Sequence, residues 1–220
     1  MTIIICLAGL SVVLILMGQK RNATTRYILN FNFDASVHRR LQEKYPQLNE
    51  LQYSQLLDGL RDYLLICKRA GLRPVSMPSQ GVDEVWHAFI LSTRQYQAFC
   101  LRVYGRYLHH TPAEVMASPT QATEGLQRAW QLACQKENIN PRKPSHLPRL
   151  FAIDAELGIA GGFIYSLDCQ MAGAMSGSYC ATAIGCGSGC GGDGGSADGG
   201  GHGCSSGCSS SGCGGGCGGD

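Results

Sequence analysis

The residues best placed to do chemistry are an aspartate and a histidine in the segment VDEVWH. Asp83 and His87 lie four positions apart, a spacing that puts two side chains on the same face of a helix. In one interpretation, Asp83 accepts a hydrogen bond from His87 and orients a partly buried imidazole. In the other, both side chains bind a divalent metal ion and either His109 or His110 completes the site. The spacing alone leaves both interpretations open.

A second set of potential metal ligands lies in the last 36 residues, 185–220, which contain 18 Gly, 7 Ser and 6 Cys. The cysteines form three pairs with three residues between partners: Cys186 and Cys190, Cys204 and Cys208, Cys213 and Cys217. Flexible glycine and serine spacers allow thiolates to enclose a soft ion, so zinc or copper is the expected metal. Because this segment lacks large apolar side chains, we otherwise expect a disordered low-complexity tail.

The elements that position these groups are predicted to be helices, since apolar residues recur at intervals of three and four along much of the chain. The pattern covers residues 34–45, 49–71, 81–104 and 123–137. No segment shows the sustained alternation of a half-buried strand. The body, residues 22–160, is therefore predicted to be an all-α bundle of four or five helices.

Local signals set the expected helix boundaries. Asn49 followed by Gln52 fits a capping box at the start of the second helix of the body, and Gly71 is typical of its end. The third helix is predicted to run without interruption from Gly81 to Tyr104, so that it carries the VDEVWH segment. Prolines are frequent after residue 140 and mark the exit from the fourth helix.

The chain begins with an apolar run, residues 2–18 (TIIICLAGLSVVLILMG), which has no charged residue. A helix of this length spans roughly 25 Å, just enough for a bilayer core. No basic residue precedes it and no small-residue cleavage site follows it. An uncleaved anchor over residues 1–19 is therefore favoured over a signal peptide. Lys20, Arg21 and Arg26 follow the run, which predicts a single-pass protein with body and tail in the cytoplasm. Cysteines there would be mostly thiols or metal ligands.

Charge divides the chain into a basic body and an acidic end. The region from Lys20 to Arg149 holds all 18 basic residues and 10 acidic ones, a net charge of +8, and 6 acidic residues follow it. A basic body favours an anionic surface as partner. Nucleic acid is an unlikely partner because no recognised motif interleaves aromatic and basic residues. Residues 161–184, rich in small side chains, are expected to be a linker before the tail.

The stretch VDEVWHAFILSTRQYQAFCLRVYGRYLHHTP resembles the core of glycine-rich-domain proteins, in a short bacterial-type form. The shared pattern is Asp-x-x-Trp-His, then Tyr-x-x-Phe-Cys, then Gly, then His-x-Pro. It falls on Asp83, Trp86, His87, Tyr96, Phe99, Cys100, Gly105, His110 and Pro112. The resemblance implies that His110, rather than His109, is the partner of Asp83 and His87. It implies a helical domain but supplies no reaction and no catalytic residue.

Two functions remain as hypotheses from the sequence. The first is a membrane-anchored helical module for interaction or metal handling, with a protein partner on the body and a soft metal in the tail. The second is an enzyme that uses either a metal ion at Asp83, His87 and His110 or the redox chemistry of the tail cysteines. An open coordination position beside a pocket would favour the enzyme.

Overall fold

The computed structural model describes residues 2–110, 119–167, 179–181 and 184, with side chains from residue 16 onward except those of 119–121. All of these residues belong to one unit of the chain, Met1–Cys190. The predicted tail, 185–220, and its six cysteines lie outside the described residues.

Within this described part, seven helices account for most of the structure, which confirms the prediction of an all-α fold. They are α1 (Thr2–Leu29), α2 (Ala35–Lys44), α3 (Glu50–Ala70), α4 (Gln80–Leu91), α5 (Thr93–Tyr104), α6 (Pro119–Glu137) and α7 (Arg149–Leu157). Two short strands that the sequence does not predict, β1 (Tyr165–Ser166) and β2 (Tyr179–Cys180), pair in parallel. They lie in the segment expected to be a linker, and β1 packs against α7.

The central element is α3, which packs against α1, α2, α4, α6 and α7. Buried side chains point from it in almost every direction, as expected of a helix that is enclosed on all sides. At Gly59 the neighbouring helix α4 comes very close, because a Cβ there would lie 2.7 Å from Cγ2 of Val82. This close approach sets the distance between α3 and the helix that carries Asp83.

The boundaries set by local signals are confirmed. Asn49 and Gln52 form the expected capping box, each side chain accepting the backbone N–H of the other residue at 3.0 and 2.9 Å. Gly71 stands at the C-cap of α3 and Gly105 at that of α5, both with a φ of 70° that side-chain-bearing residues rarely adopt.

The predicted continuous helix from Gly81 to Tyr104 is wrong, because the chain breaks at Ser92 into α4 and α5. Ser92 has ψ of 59° and its N–H donates to the carbonyl of Phe89 at 3.0 Å. Its hydroxyl lies 2.9 Å from that of Ser36 on α2. The apolar periodicity continues across the break, so the pattern alone does not show it. The break redirects α5 and returns the segment after it towards α4.

Among the described residues, none of the helices is both long enough and apolar enough to cross a membrane. The single-pass span expected over residues 2–18 falls mostly on residues 2–15, whose side chains lie outside the described part of the chain. The helix that contains them, α1, continues to Leu29, and Ile28 is fully buried in the core of the body.

A buried carboxylate on α3 forms ion pairs with α6 and α7. Asp62 on α3 is 4% exposed. Its Oδ2 lies 2.9 Å from Nζ of Lys136 on α6 and 3.7 Å from Nη1 of Arg149 on α7. Because the carboxylate is almost fully removed from water, its charge needs a close cation, which Lys136 supplies, while Arg149 adds a longer and more exposed contact. This contact holds α6 and α7 in register with α3.

Candidate metal centre

The first turn of α4 positions Asp83, and a buried carboxylate on α7 fixes that turn. Asp154 accepts hydrogen bonds from the hydroxyl of Ser79 at 2.6 Å and from the backbone N–H groups of Gln80 and Gly81 at 2.7 and 3.0 Å. It also accepts the N–H of Phe163 at 2.9 Å. A carboxylate at the start of a helix satisfies its free donors and is stabilised by the helix dipole.

The segment that carries His110 is held over α4 by a chain of hydrogen bonds between side chains. Nε1 of Trp86 donates to the hydroxyl of Tyr96 at 3.2 Å, and that hydroxyl donates to the carbonyl of Leu108 at 2.5 Å. The edge of the Trp86 ring also meets the ring of His110, with 4.5 Å between centroids. These contacts explain how a residue 27 positions after Asp83 comes to lie beside it.

The structure brings Asp83, His87 and His110 together. Nε2 of His110 lies 2.9 Å from Oδ1 of Asp83, and Nε2 of His87 lies 3.6 Å from Oδ2. The centroids of the two imidazole rings are 4.5 Å apart. The hydrogen-bond partner of Asp83 is therefore His110, while His87, its neighbour on the same helix face, is farther away than a hydrogen bond.

The spacing of these three groups fits a single metal ion. One ligand atom from each side chain can be chosen so that all lie within 4.8 Å of one another. A zinc ion about 2.1 Å from each ligand requires ligand atoms roughly 3.0–3.4 Å apart, so the histidines need only a small movement. Two imidazoles and one carboxylate are also a donor set typical of catalytic zinc and non-haem iron.

Asp83, His87 and His110 lie at the wall of an open cleft of about 680 Å³. Asp83 and His110 are 19% and 12% exposed, whereas His87 is 44% exposed. An ion held by these three groups would therefore have free coordination positions on the side facing the cleft. The volume lies within the usual range for small-molecule sites.

The cleft combines apolar walls with a few polar groups. The apolar side chains that line it include Val75, Met77, Trp86, Leu108, Leu126 and Phe163. Its polar side chains include Ser76, Gln80, Arg106 and His109. The guanidinium of Arg106 donates to the carbonyl of Gly71 at 3.1 Å, which anchors it at the rim. His109 thus lines the same cleft but is not a member of the candidate metal group.

A close contact between α6 and the connector before α4 forms one edge of the cleft. A Cβ at Gly125 would lie 2.2 Å from Oγ of Ser76 and 3.0 Å from its backbone nitrogen. The Ser76 hydroxyl donates to the carbonyl of Ala122 at 3.0 Å. Only a residue without a side chain allows α6 to approach the connector so closely.

The helix cysteines do not form a reactive site. Cys67, Cys100 and Cys134 are free and buried within the helical body. Burial raises the pKa of Cys67 to about 12 and that of Cys134 to about 11, and it also raises the pKa of Cys100. All three thiols are therefore protonated at neutral pH and poor nucleophiles. Cys180, by contrast, is disulfide-bonded, which the expectation of reduced thiols did not foresee.

Comparison with known proteins assigns the chain to a family. A family model described as UCP032817-like matches residues 23–184, about three quarters of the chain. The chain belongs to the UCP032817-like family. The match covers the predicted body of this UCP032817-like chain from residue 23 onward, and it includes Asp83, His87 and His110. No curated protein and no solved structure gives a significant match. The resemblance to glycine-rich-domain proteins stays a prediction.

Several residues that build this site could not be identified from the sequence. Asp154 lies among the apolar residues of α7. Its position on that apolar face is the one feature of the sequence that indicates a buried carboxylate. The link from Tyr96 to Leu108 depends on the turn after Gly105, which no local pattern specifies. The predicted ligands Cys186, Cys190, Cys204, Cys208, Cys213 and Cys217 lie outside the described residues.

Proposed function

We propose that this protein binds one divalent transition-metal ion through Asp83, His87 and His110 and uses it to act on a substrate in the cleft. The observation that carries the proposal is the combination of three converging ligands with an open side. Structural zinc sites are usually closed by four protein ligands, whereas catalytic sites keep three and leave a position for water. The cleft provides the space for a substrate at that position.

The chemistry that this arrangement supports best is metal-assisted hydrolysis. A bound metal ion lowers the pKa of its water to near neutrality, which generates hydroxide, and it polarises a carbonyl or phosphoryl oxygen. The fold would hold the three ligand side chains in position, and the apolar walls of the cleft would hold the uncharged part of a substrate. His110 would exchange its hydrogen bond with Asp83 for a bond to the metal through a ring nitrogen that carries no proton.

The direct test is cobalt or zinc binding by the full chain with its six tail cysteines changed to Ser, so that tail thiolates do not contribute. Asp83→Asn, His87→Ala and His110→Ala are each expected to weaken binding at least tenfold, because each removes a ligand. His146→Ala is the matched control, since His146 is exposed and, within the described part of the chain, is hydrogen-bonded only to Ser145. Equal affinities in all four variants would contradict the proposal.

The same cobalt form tests the open position. The visible spectrum of cobalt reports its coordination number and its ligands. Azide is expected to change this spectrum if water occupies the position that faces the cleft. A spectrum that azide leaves unchanged would point to a closed, structural site.

A helical interaction module is the second candidate function, and one observation favours it. The 2.9 Å bond between Asp83 and His110 already satisfies both groups without an ion. In that case the apolar cleft would accept a side chain of a protein partner. Absence of metal binding in the test above would favour this candidate over the enzyme.

A soft metal in the cysteine-rich tail is a separate proposal that depends only on composition and spacing. Elemental analysis of the reduced full chain, with and without the six Cys→Ser changes, tests it. Loss of stoichiometric zinc or copper on these changes is the expected result. An unchanged metal content would contradict it.

A further inference from the structure

A second depression in the body, away from the metal ligands, gathers four arginines from different segments. Arg21 comes from α1, Arg69 from α3, Arg73 from the connector before α4, and Arg128 from α6. We call this depression the arginine groove. Its volume is about 690 Å³, and its polar lining includes one acidic residue, Glu124. The charged side chains of the groove therefore sum to +3.

The positive charge of the arginine groove is not compensated within the described part of the chain. The ion pairs found there involve Lys44, Arg61, His87, His110, Lys136 and Arg149. None includes a groove arginine, although Glu124 lies in the same depression. Arg128 is held by a hydrogen bond to the carbonyl of Pro74, which fixes its position without neutralising it. Guanidinium groups that converge repel one another, and an anion between them removes this repulsion.

The remaining lining supplies neutral hydrogen-bond groups in a row. Gln127, Gln131 and Gln135 are spaced four apart on α6, so they lie along one helix face, and all three line the groove. Their amides can donate to oxygen atoms beside the arginines. The planar fork of a guanidinium matches two oxygens of a phosphate group, which a lysine ammonium does not.

We propose that the arginine groove binds an anion that carries phosphate groups, with the guanidinium groups of Arg21 and Arg69 on its oxygens. A single phosphate would leave part of the charge uncompensated, so a ligand with two linked phosphates fits the +3 groove better. A soluble phosphorylated compound and the headgroup of an anionic lipid share this chemistry. This site is independent of the proposed metal site, except that Arg73 lines both depressions.

Calorimetric titration of the full chain with inorganic pyrophosphate, in metal-free buffer, tests the soluble form of the ligand. Arg21→Gln/Arg69→Gln is expected to weaken binding at least tenfold, since it removes two of the four charges. Both side chains are exposed, so this variant is expected to fold normally. The control is Arg39→Gln/Arg40→Gln on α2, which removes the same charge from exposed positions outside the groove.

Sedimentation with vesicles that contain phosphatidic acid, compared with vesicles of phosphatidylcholine alone, tests the lipid form. Binding that requires phosphatidic acid and is reduced only by the groove variant would identify a lipid headgroup as the ligand. Pyrophosphate binding without such vesicle binding would identify a soluble phosphate compound. The proposal is overturned if the groove and α2 variants lose binding equally, or if neither probe binds.

The lysine variant Arg21→Lys/Arg69→Lys separates charge from geometry. It keeps the net charge of the groove but loses the planar forks, so pyrophosphate affinity is expected to lie between those of the native chain and the Gln variant. An affinity equal to that of the native chain would contradict the paired contacts of the guanidinium groups. It would reduce the site to a general positive patch.

Discussion

At the scale of single residues, Asp154 is the most deeply buried carboxylate among the described residues, and four hydrogen-bond donors surround it. It is 3% exposed, and four groups from the start of α4 and from Phe163 donate to its two oxygens. Asp154→Asn places an amide NH₂ where an oxygen now accepts, and this leaves buried N–H groups without a partner. We expect a loss of about 2–4 kcal/mol in the free energy of unfolding, measured by urea denaturation.

The control for this change is Glu156→Gln, two positions further along α7 and exposed. It removes the same charge from the same helix and is expected to change stability by less than about 0.5 kcal/mol. A similar small effect for Asp154→Asn would show that the start of α4 does not depend on this carboxylate.

Tyr96 is the residue through which the fold controls the position of His110. Tyr96→Phe keeps the ring, which packs on Phe89 with centroids 5.0 Å apart, and removes the hydroxyl that joins Trp86 to Leu108. Because the segment that carries His110 loses this anchor, zinc affinity is expected to fall roughly tenfold. Tyr107→Phe is the control, because it also removes a tyrosine hydroxyl but from a side chain that is partly exposed. Unchanged zinc affinity in Tyr96→Phe would mean that other contacts hold His110.

At the scale of elements, the approach of α4 to α3 at Gly59 determines where Asp83 and His87 lie. Gly59→Ala places a Cβ 2.7 Å from Cγ2 of Val82, and both residues are buried. Alanine is the better helix former, yet we expect the protein to lose about 1–3 kcal/mol because the helices must separate. Thermal unfolding of the variant tests this expectation.

Gly18→Ala on α1 is the matched control, because no neighbour among the described residues lies within 4 Å of a Cβ at that position. The same substitution there is expected to be neutral or to stabilise the protein by up to about 1 kcal/mol. If both variants behave alike, α3 and α4 can adjust without strain, and the close approach does not fix their spacing.

The elements that sequence reasoning predicts correctly are those whose boundaries depend on neighbouring residues. The capping box at Asn49 and the helix end at Gly71 are of this kind, since the groups that interact are a few positions apart. The break at Ser92 depends on Ser36 of another helix, so it is invisible in the local pattern. For the same reason the sequence pairs Asp83 with His87 from their spacing. The choice of His110 over His109 follows only from the resemblance, and the roles of Asp154 and Tyr96 as buried hydrogen-bond partners are missed.

At the scale of the whole molecule, burial of acidic protons makes the fold sensitive to alkaline pH. Burial raises the pKa of Cys67 and of Tyr45 to about 12 and that of Cys134 to about 11. In the unfolded chain a cysteine ionises near its ordinary pKa of 9.0. Above pH 9 the unfolded state therefore loses protons that the folded state retains, and the free energy of unfolding falls as pH rises towards 12.

Cys67 allows this alkaline loss to be measured for one group. A thiol that ionises only in the unfolded state costs the native protein about 1.4 kcal/mol of stability between pH 8 and pH 10. Cys67→Ala removes the thiol, so its stability is lower at pH 8 because a cavity forms, but it declines less steeply by about this amount. Val103→Ala also leaves a buried cavity but removes no titratable group, so its slope with pH should match that of the native protein. Urea unfolding at pH 8, 9 and 10 gives all three slopes. Equal slopes for Cys67→Ala and Val103→Ala would show that the Cys67 thiol ionises in the folded protein as readily as in the unfolded chain.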